Sequence, residues 1–375
     1  MTPRPTFDPG FSTTELGRIF SPEATVAAIL EFESALARSL TEVGLAPTEE
    51  TAAVIDACAK GVVDPAGILA TTWESGTPLI ALREEITADL TRSQASWFHY
   101  GATTQDAVDT GLMLQARRAL DHIDVLLLGL ARGLRDLTIE FRDQSQIGRT
   151  FLQDADPTVF GLRAAGWLDM TLVHAIDLDE TKGGLAVQLG GSVGTLETYG
   201  QQGSALRAAL ASNLGLVDPS ITWHGDRRRI HTLAHSLERT ARSMSKIATD
   251  ISLLSSSAVG EMSVRSGGSS SMPGKRNPID SVRAISAAAA CAGAVSMLTS
   301  APSIELDRGV GGWHVEWIAL PMAFQTAGAS VEAMTMAVES IDLHTAAMEN
   351  DVETISGAGA QAQIDTVLER ASQIL

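Results

Sequence analysis

The stretch Gly267-Gly268-Ser269-Ser270-Ser271-Met272-Pro273-Gly274-Lys275-Arg276-Asn277-Pro278 carries the densest chemistry in the chain. Two glycines loosen the backbone and three hydroxyls follow. A cation and an amide come next, just ahead of a helix start. Backbone N–H groups, Lys275 and Asn277 suit a carboxylate, and a serine in a sufficiently positive potential can give up its proton. By composition alone the same residues also read as a Ser/Gly-rich linker. A second segment, His99-Tyr100-Gly101-Ala102-Thr103-Thr104-Gln105-Asp106 with Asp109-Thr110, offers hydroxyls and amides. Its Thr103, Thr104 and Asp106 also read as a helix N-cap, and the two roles are compatible. A third, Gly148 to Thr158, holds Arg149 and Gln153.

Long helices must position these segments. Apolar residues recur every three to four positions from Leu112 to Phe141, from Ile230 to Ala258 and from Leu320 to Met348. Each run predicts a helix of roughly 28 residues or more, about 40 Å at 1.5 Å per residue. Another Ala-rich helix is expected from Pro278 to about Ser300, and one over 155–181 opening at Asp156-Pro157-Thr158. Alternating β-branched stretches are scarce, so the fold class is all-α, a bundle whose Ala-rich seams pack closely. The expected division is a small N-terminal helical domain over 1–97, a central long-helix bundle over 98–350 and a short C-terminal remnant over 351–375.

Composition narrows the partners. The 375 residues carry 27 Lys and Arg against 45 Asp and Glu, a net charge of −18, which disfavours nucleic acid as a partner. Cys58 and Cys291 are too few for a disulfide framework or a structural zinc site and read as packed thiols. The N-terminus has no apolar signal-like core. The run Ala284 to Ala301 is too weakly apolar for a membrane span. A cytoplasmic enzyme is expected. His231 and His235 have a metal-ligand spacing but no third ligand nearby, and no phosphate loop or dinucleotide fingerprint is present, so neither metal nor cofactor is expected.

The order of residues in the first segment resembles the signature of the fumarase/aspartase superfamily, Gly-Ser-Ser-x-Met-Pro-x-Lys-x-Asn-Pro, matched at Gly268, Ser269, Ser270, Met272, Pro273, Lys275, Asn277 and Pro278. The segment from His99 resembles that family's first carboxylate-binding region, and Gly148 to Thr158 its Gly-Arg-Thr-His-x-Gln-x-Ala-x-Pro-Thr region. The resemblance, which covers roughly residues 7 to 350, implies a homotetramer with a twenty-helix core. Each active site would be assembled from three loops on three subunits. It further implies Ser269 as the proton-transfer group, aided by Lys275 and Asn277. The substrate-binding residues it implies are His99, Thr103, Thr104, Gln105, Arg149, Gln153, Thr158, His224, Ser270, Met272, Arg308 and His314.

The chain departs from the superfamily at Phe151. Relatives that release an amine or water carry there a histidine that moves protons around the leaving group. The 3-carboxy-cis,cis-muconate cycloisomerase branch has an aromatic residue, and Trp223-His224 and the run Arg308 to Pro321 also resemble that branch. The reaction so implied adds a carboxylate of the substrate across its own double bond. In reverse a carboxylate leaves, and with a pKa near 4 it needs little protonation, whereas an amine or hydroxide does. Two alternatives are an adenylosuccinate-type lyase, against which Phe151 argues, and a catalytically silent bundle protein, against which intact Ser269, Lys275 and Asn277 argue. Further departures are a C-terminal domain largely missing, a short segment between Glu261 and Gly268, and Arg228 where the branch has Asp.

Overall fold

The computed structural model describes residues 8–265, 267–268, 271–272, 275–301, 303–349 and 357–375. In chain order its helices are α1 (Thr14–Ile19), α2 (Pro22–Glu42), α3 (Thr48–Lys60), α4 (Pro65–Ala70), α5 (Thr72–Ser75), α6 (Leu79–Ile86), α7 (Arg92–Ala95), α8 (Thr104–Glu140), α9 (Phe160–Gly183), α10 (Gly203–Leu214), α11 (Arg228–Leu254), α12 (Ile279–Ser300), α13 (Gly312–Glu339), α14 (Thr345–Glu349) and α15 (Ala358–Ile374). Two small antiparallel ribbons accompany them: β1 (Ser145–Thr150) with β2 (Gln153–Val159), and β3 (Met262–Ser263) with β4 (Asp342–Leu343).

The three long apolar repeats are helices α8, α11 and α13, which with α9 and α12 make the bundle. One face of each enters a common core: Met113, Ile123 and Leu134 of α8, Ile230, Met244 and Ile251 of α11, and Phe324, Val331 and Met334 of α13 are all fully buried. Small residues let the rods approach. At Gly328 of α13 a Cβ would stand 2.1 Å from Leu16 Cδ1. A second core gathers Phe32, Leu36 and Leu40 of α2 with Val54, Phe98 and Tyr199 and with Leu206 and Leu210 of α10. Cys58 and Cys291 are buried and unpaired, and desolvation pushes both thiols up to about 12, as packed, unreactive groups.

One expected element is corrected. Residues 153–159 are a strand, and the helix begins at Phe160 rather than at Asp156. Pro157 sits opposite Ile147 on a ribbon with only edge strands, where its missing N–H is harmless. The register shifts between Ile147 and Arg149, at Gly148, where a Cβ would meet the Asp156 carbonyl oxygen at 2.7 Å. The α11 repeat also stops at Leu254, four residues before Ala258, and the third repeat stops at Glu339, with Ile341 and Met348 beyond it in a loop and in α14.

Gly328→Ala should destabilise the protein by about 1–3 kcal/mol, the usual cost of overpacking. Urea unfolding of the two proteins at one concentration measures this.

Candidate active site

The segment from His99 to Asp106 winds into the N-terminal end of α8, and Asp106 organises it. One carboxylate oxygen accepts the backbone N–H of Thr103 at 3.0 Å and of Gly191 at 2.9 Å. The other accepts the Gly190 N–H at 3.0 Å and meets His224 Nε2 at 2.7 Å. Asp106 is fully buried, so this single carboxylate ties together three loops distant in sequence. Gly191, at φ +73°, comes so close to Gly101 that a Cβ would lie 2.9 Å from its carbonyl oxygen. Gln105 donates to the His224 carbonyl at 3.0 Å.

One turn further along α8, Asp109 accepts two hydrogen bonds from Arg227, at 2.7 and 2.9 Å, and one from the Trp313 indole at 2.8 Å. Arg227 also holds Glu316 of α13, donating from Nε at 2.9 Å, and lies over the Trp223 ring at 4.8 Å. The cluster is buried, with one cation facing two carboxylates. Burial pushes the Glu316 carboxyl above the usual range despite Arg227, and the Asp109 charge adds to the rise. Burial alone would weaken the Arg227 cation, but Asp109 and Glu316 outweigh it and hold the guanidinium charged.

The groups left facing outward suit an anion. Arg308 donates to Thr103 Oγ1 and to the Ser192 carbonyl, both at 2.8 Å. The Thr104 hydroxyl lies 2.9 Å from that of Thr77. His99 sits at φ +58° with Nδ1 2.6 Å from Glu33 and its own N–H on the other Glu33 oxygen at 3.0 Å. Burial opposes a charge on His99, but the Glu33 carboxylate, by charge and by hydrogen bond, raises its pKa above the ordinary value.

The remaining predicted residues lie at the other end of the bundle. Helix α8 has 37 residues, about 55 Å, and the β1–β2 hairpin follows its far end. There Arg149 donates to Glu261 at 2.6 Å and pairs with Asp154 at 3.2 Å, while Gln146 donates to the second Glu261 oxygen at 2.6 Å. Arg149 Nη1 is buried without a partner. Gln153 is exposed and Thr158 half-buried. Phe151 and Leu152 make the two-residue turn, both with left-handed backbones (φ +51° and +62°) and respectively 99% and 69% exposed. The Lys275 segment enters α12 at this end: Gly267 donates to the Asn277 carbonyl at 3.1 Å, and Lys275 to that of Met272 at 3.2 Å. Lys275 and Met272 are exposed, Asn277 half-buried. Ser269 and Ser270 lie outside the described residues. The C-terminal end of α12 shares a cavity wall with Arg227 and Gly312, so its N-terminal end is a helix length away, about 33 Å.

The structure thus brings His99, Thr103, Thr104, Gln105, His224 and Arg308 together. It sets Arg149, Gln153, Thr158, Met272, Lys275 and Asn277 apart from them. His314 joins neither group: it stacks among Trp73, Trp313 and Trp317 at ring distances of 5.9, 5.1 and 4.6 Å, in the wall of an apolar cavity. Sequence reasoning missed Glu33, Thr77, Arg227 and Glu316 as positioning residues. Glu33 had a visible signal, a charge inside the apolar face of α2.

The helical bundle carries a polar cluster with Arg308 at the N-terminal end of α8, and residues 12–293 match the Lyase family, to which the chain belongs. It is 36% identical to 3-carboxy-cis,cis-muconate cycloisomerase from Pseudomonas aeruginosa, over 97% of this chain and 81% of that one, and 35% identical to the enzyme of that name from Pseudomonas putida, over 97% and 88%. It superposes on the crystal structure of 3-carboxy-cis,cis-muconate lactonizing enzyme from Pseudomonas putida with a TM-score of 0.86, at 31% identity, covering 98% of this chain and 88% of that one.

Glu33→Gln should lower the His99 pKa. The pair's contribution to stability is present below about pH 6.5, the ordinary imidazole value, and fades as pH rises through the raised folded value. The stability gap between wild type and variant should therefore shrink from pH 6 to pH 8, read by urea unfolding alongside an NMR titration of His99.

Proposed function

We propose that this chain is a cycloisomerase that closes 3-carboxy-cis,cis-muconate to a carboxymuconolactone, within the β-ketoadipate route of aromatic breakdown. The observation that carries the reading is Phe151. A general acid is absent from the hairpin tip, and a carboxylate leaving group needs none. The relatives' names agree with it.

In the forward direction a substrate carboxylate oxygen bonds to one alkene carbon while a proton is delivered to the adjacent carbon. Ser269 is the proposed donor, with Lys275 and Asn277 stabilising the charge that builds on the neighbouring carboxylate. Solvent restores the serine proton. The substrate is a trianion, which calls for several cationic partners. Arg308, held by Thr103 and the Ser192 carbonyl, and a protonated His99 supply two, and Arg149 a third. Thr104, Gln105, Gln153 and Thr158 add neutral hydrogen bonds, with Ser270 and Met272 in the Ser269 loop and His224 behind Asp106. His314 is left to the cavity wall rather than to substrate.

This mechanism needs groups from both ends of the bundle. We propose a homotetramer in which antiparallel copies bring opposite ends together, so that each site draws on three chains. The exposed face of α12 supports it. Val282, Ser286, Ala289, Gly293, Ser296 and Ser300 lie outward at alternating spacings of four and three, the pattern of a close helix–helix seam. By length and composition α12 could also cross a membrane, but its other face packs in the bundle against α11 and α13. A cytoplasmic location fits this reading.

Light scattering should give four times 39.5 kDa; a monodisperse monomer at micromolar concentration would contradict the shared site. Ser269→Ala should cut lactonisation ~10²–10⁴-fold, the usual worth of a positioned proton-transfer group, with the assembly intact. Phe151→His should lower kcat/KM for the muconate between pH 6 and 9 without creating activity on succinyl-amines. A rise in muconate turnover would show that an acid was wanted there.

A further inference from the structure

The short run between Glu261 and Gly268 has no part in the proposed reaction, yet every described residue in it is held. Met262 and Ser263 pair as β3 with Leu343 and Asp342 of β4. Beside them the His344 N–H donates to the Glu261 carbonyl at 2.9 Å, and the His344 ring meets the Gly260 carbonyl at 2.8 Å. Val264 packs against the bundle core. The Arg265 N–H donates to the Ser340 hydroxyl at 2.9 Å, and the Gly267 N–H to the Asn277 carbonyl at 3.1 Å. A run anchored at each step moves only when those bonds open together.

One side-chain pair joins this run to the start of α12. The Arg265 guanidinium holds the Asp280 carboxylate with two hydrogen bonds, from Nε at 3.0 Å and from Nη2 at 2.7 Å. Asp280 is buried in the first turn of α12, where the helix N-terminus favours its charge. A fork-to-carboxylate pair fixes direction as well as distance. With the Gly267–Asn277 bridge it closes a neck. Inside the neck Ile279 lies over Gly267, 3.5 Å from where a Cβ would stand. The Asn277 carbonyl also accepts the Ile279 N–H at 2.8 Å, so the backbone at Asn277 is held from both sides. Lys275 stands two residues outside the neck.

We propose that Arg265 and Asp280 are positioning residues for the reaction: their ion pair closes this neck and so aims Lys275 and Asn277 at the substrate carboxylate. The proposal rests on the reaction set out above and adds what holds those two side chains in place. Lys275 is exposed and carries its charge on a flexible four-carbon stem. Such a group needs a fixed backbone beneath it, since a 1 Å misplacement can cost ~10²-fold in rate. Tying the two ends of a loop together costs entropy once, on folding, rather than each time substrate binds. Arg265 and Asp280 touch no substrate in this scheme and act through Lys275 and Asn277.

The test uses the full chain. Arg265→Met keeps the stem and loses the fork, while Arg265→Lys keeps the charge. Lys275 and Asn277 stabilise charge that builds in the transition state, so Arg265→Met should lower kcat for 3-carboxymuconate about 10-fold and leave KM within about 2-fold. Arg265→Lys should recover part of that loss. Asp280→Asn should match Arg265→Met, and the double variant should be no worse than the worse single one, because both break the same pair. A readout independent of turnover is trypsin cleavage after Lys275 and Arg276, followed by mass spectrometry on protein that light scattering shows unchanged in mass. Arg265→Met and Asp280→Asn should each be cut there about 10-fold faster than wild type. Unchanged cleavage in both, a kcat within 2-fold of wild type, or a loss confined to KM would overturn the clamp. A wild type inert toward 3-carboxymuconate would instead overturn the proposed reaction, and the cleavage rates alone would then decide the clamp.

Discussion

Helix α8 is a rod of 37 residues, and the candidate site residues lie at or beyond its two ends. At about 1.5 Å per residue the ends are about 55 Å apart. Thr103 and Thr104 sit at one end, and Arg149 and Phe151 just beyond the other. Helix α13, which starts at the same end, and α9, which returns from the far end, pack along the rod. In the proposed assembly each chain carries separated half-sites, and the complete site belongs to the assembly.

The N-terminal end of α8 is held by buried charge. Asp106 spends its carboxylate on two backbone N–H groups of one loop, one of another and the ring of His224. Asp109, Arg227 and Glu316 lock α8, the start of α11 and the start of α13 into one register. Such clusters contribute little net stability against an apolar replacement, but removing one partner strands a buried charge at roughly 3–5 kcal/mol. Their effect here is to fix Thr103 and Arg308 to within a hydrogen-bond length. Burial, with the Asp109 charge added to it, raises the Glu316 carboxyl above its usual range even beside Arg227. The far end is tied more simply, with Glu261 pinning Arg149 and Gln146 so that the hairpin projects at a set angle.

Much of this was legible in the residue order. Apolar repeats of three and four marked α8, α11 and α13, because a rod buried along one stripe must repeat at 3.6. The fixed spacing from Gly268 to Pro278 carried the family resemblance, which the Lyase family match bears out. The ribbon at 145–159 was not legible. Pro157 reads as a helix opener as readily as an edge-strand residue, and only the pairing partner decides. Arg227 and Glu316 were hidden because a buried ion pair leaves no periodic trace: its partners are 89 positions apart. His314 stacks among Trp73, Trp313 and Trp317 rather than beside Arg308, because the residue order says nothing about which face of α13 a side chain occupies.

Shared sites predict rescue between defective chains. Ser269→Ala and Arg308→Met damage different loops, so each should be inactive alone. When the two are unfolded together, refolded and isolated as mixed oligomers, some sites will draw every loop from an undamaged source. Turnover of 3-carboxymuconate should then reappear at a sizeable fraction of the wild-type rate. Mixed oligomers verified by mass but as inactive as either parent would contradict a site built from several chains.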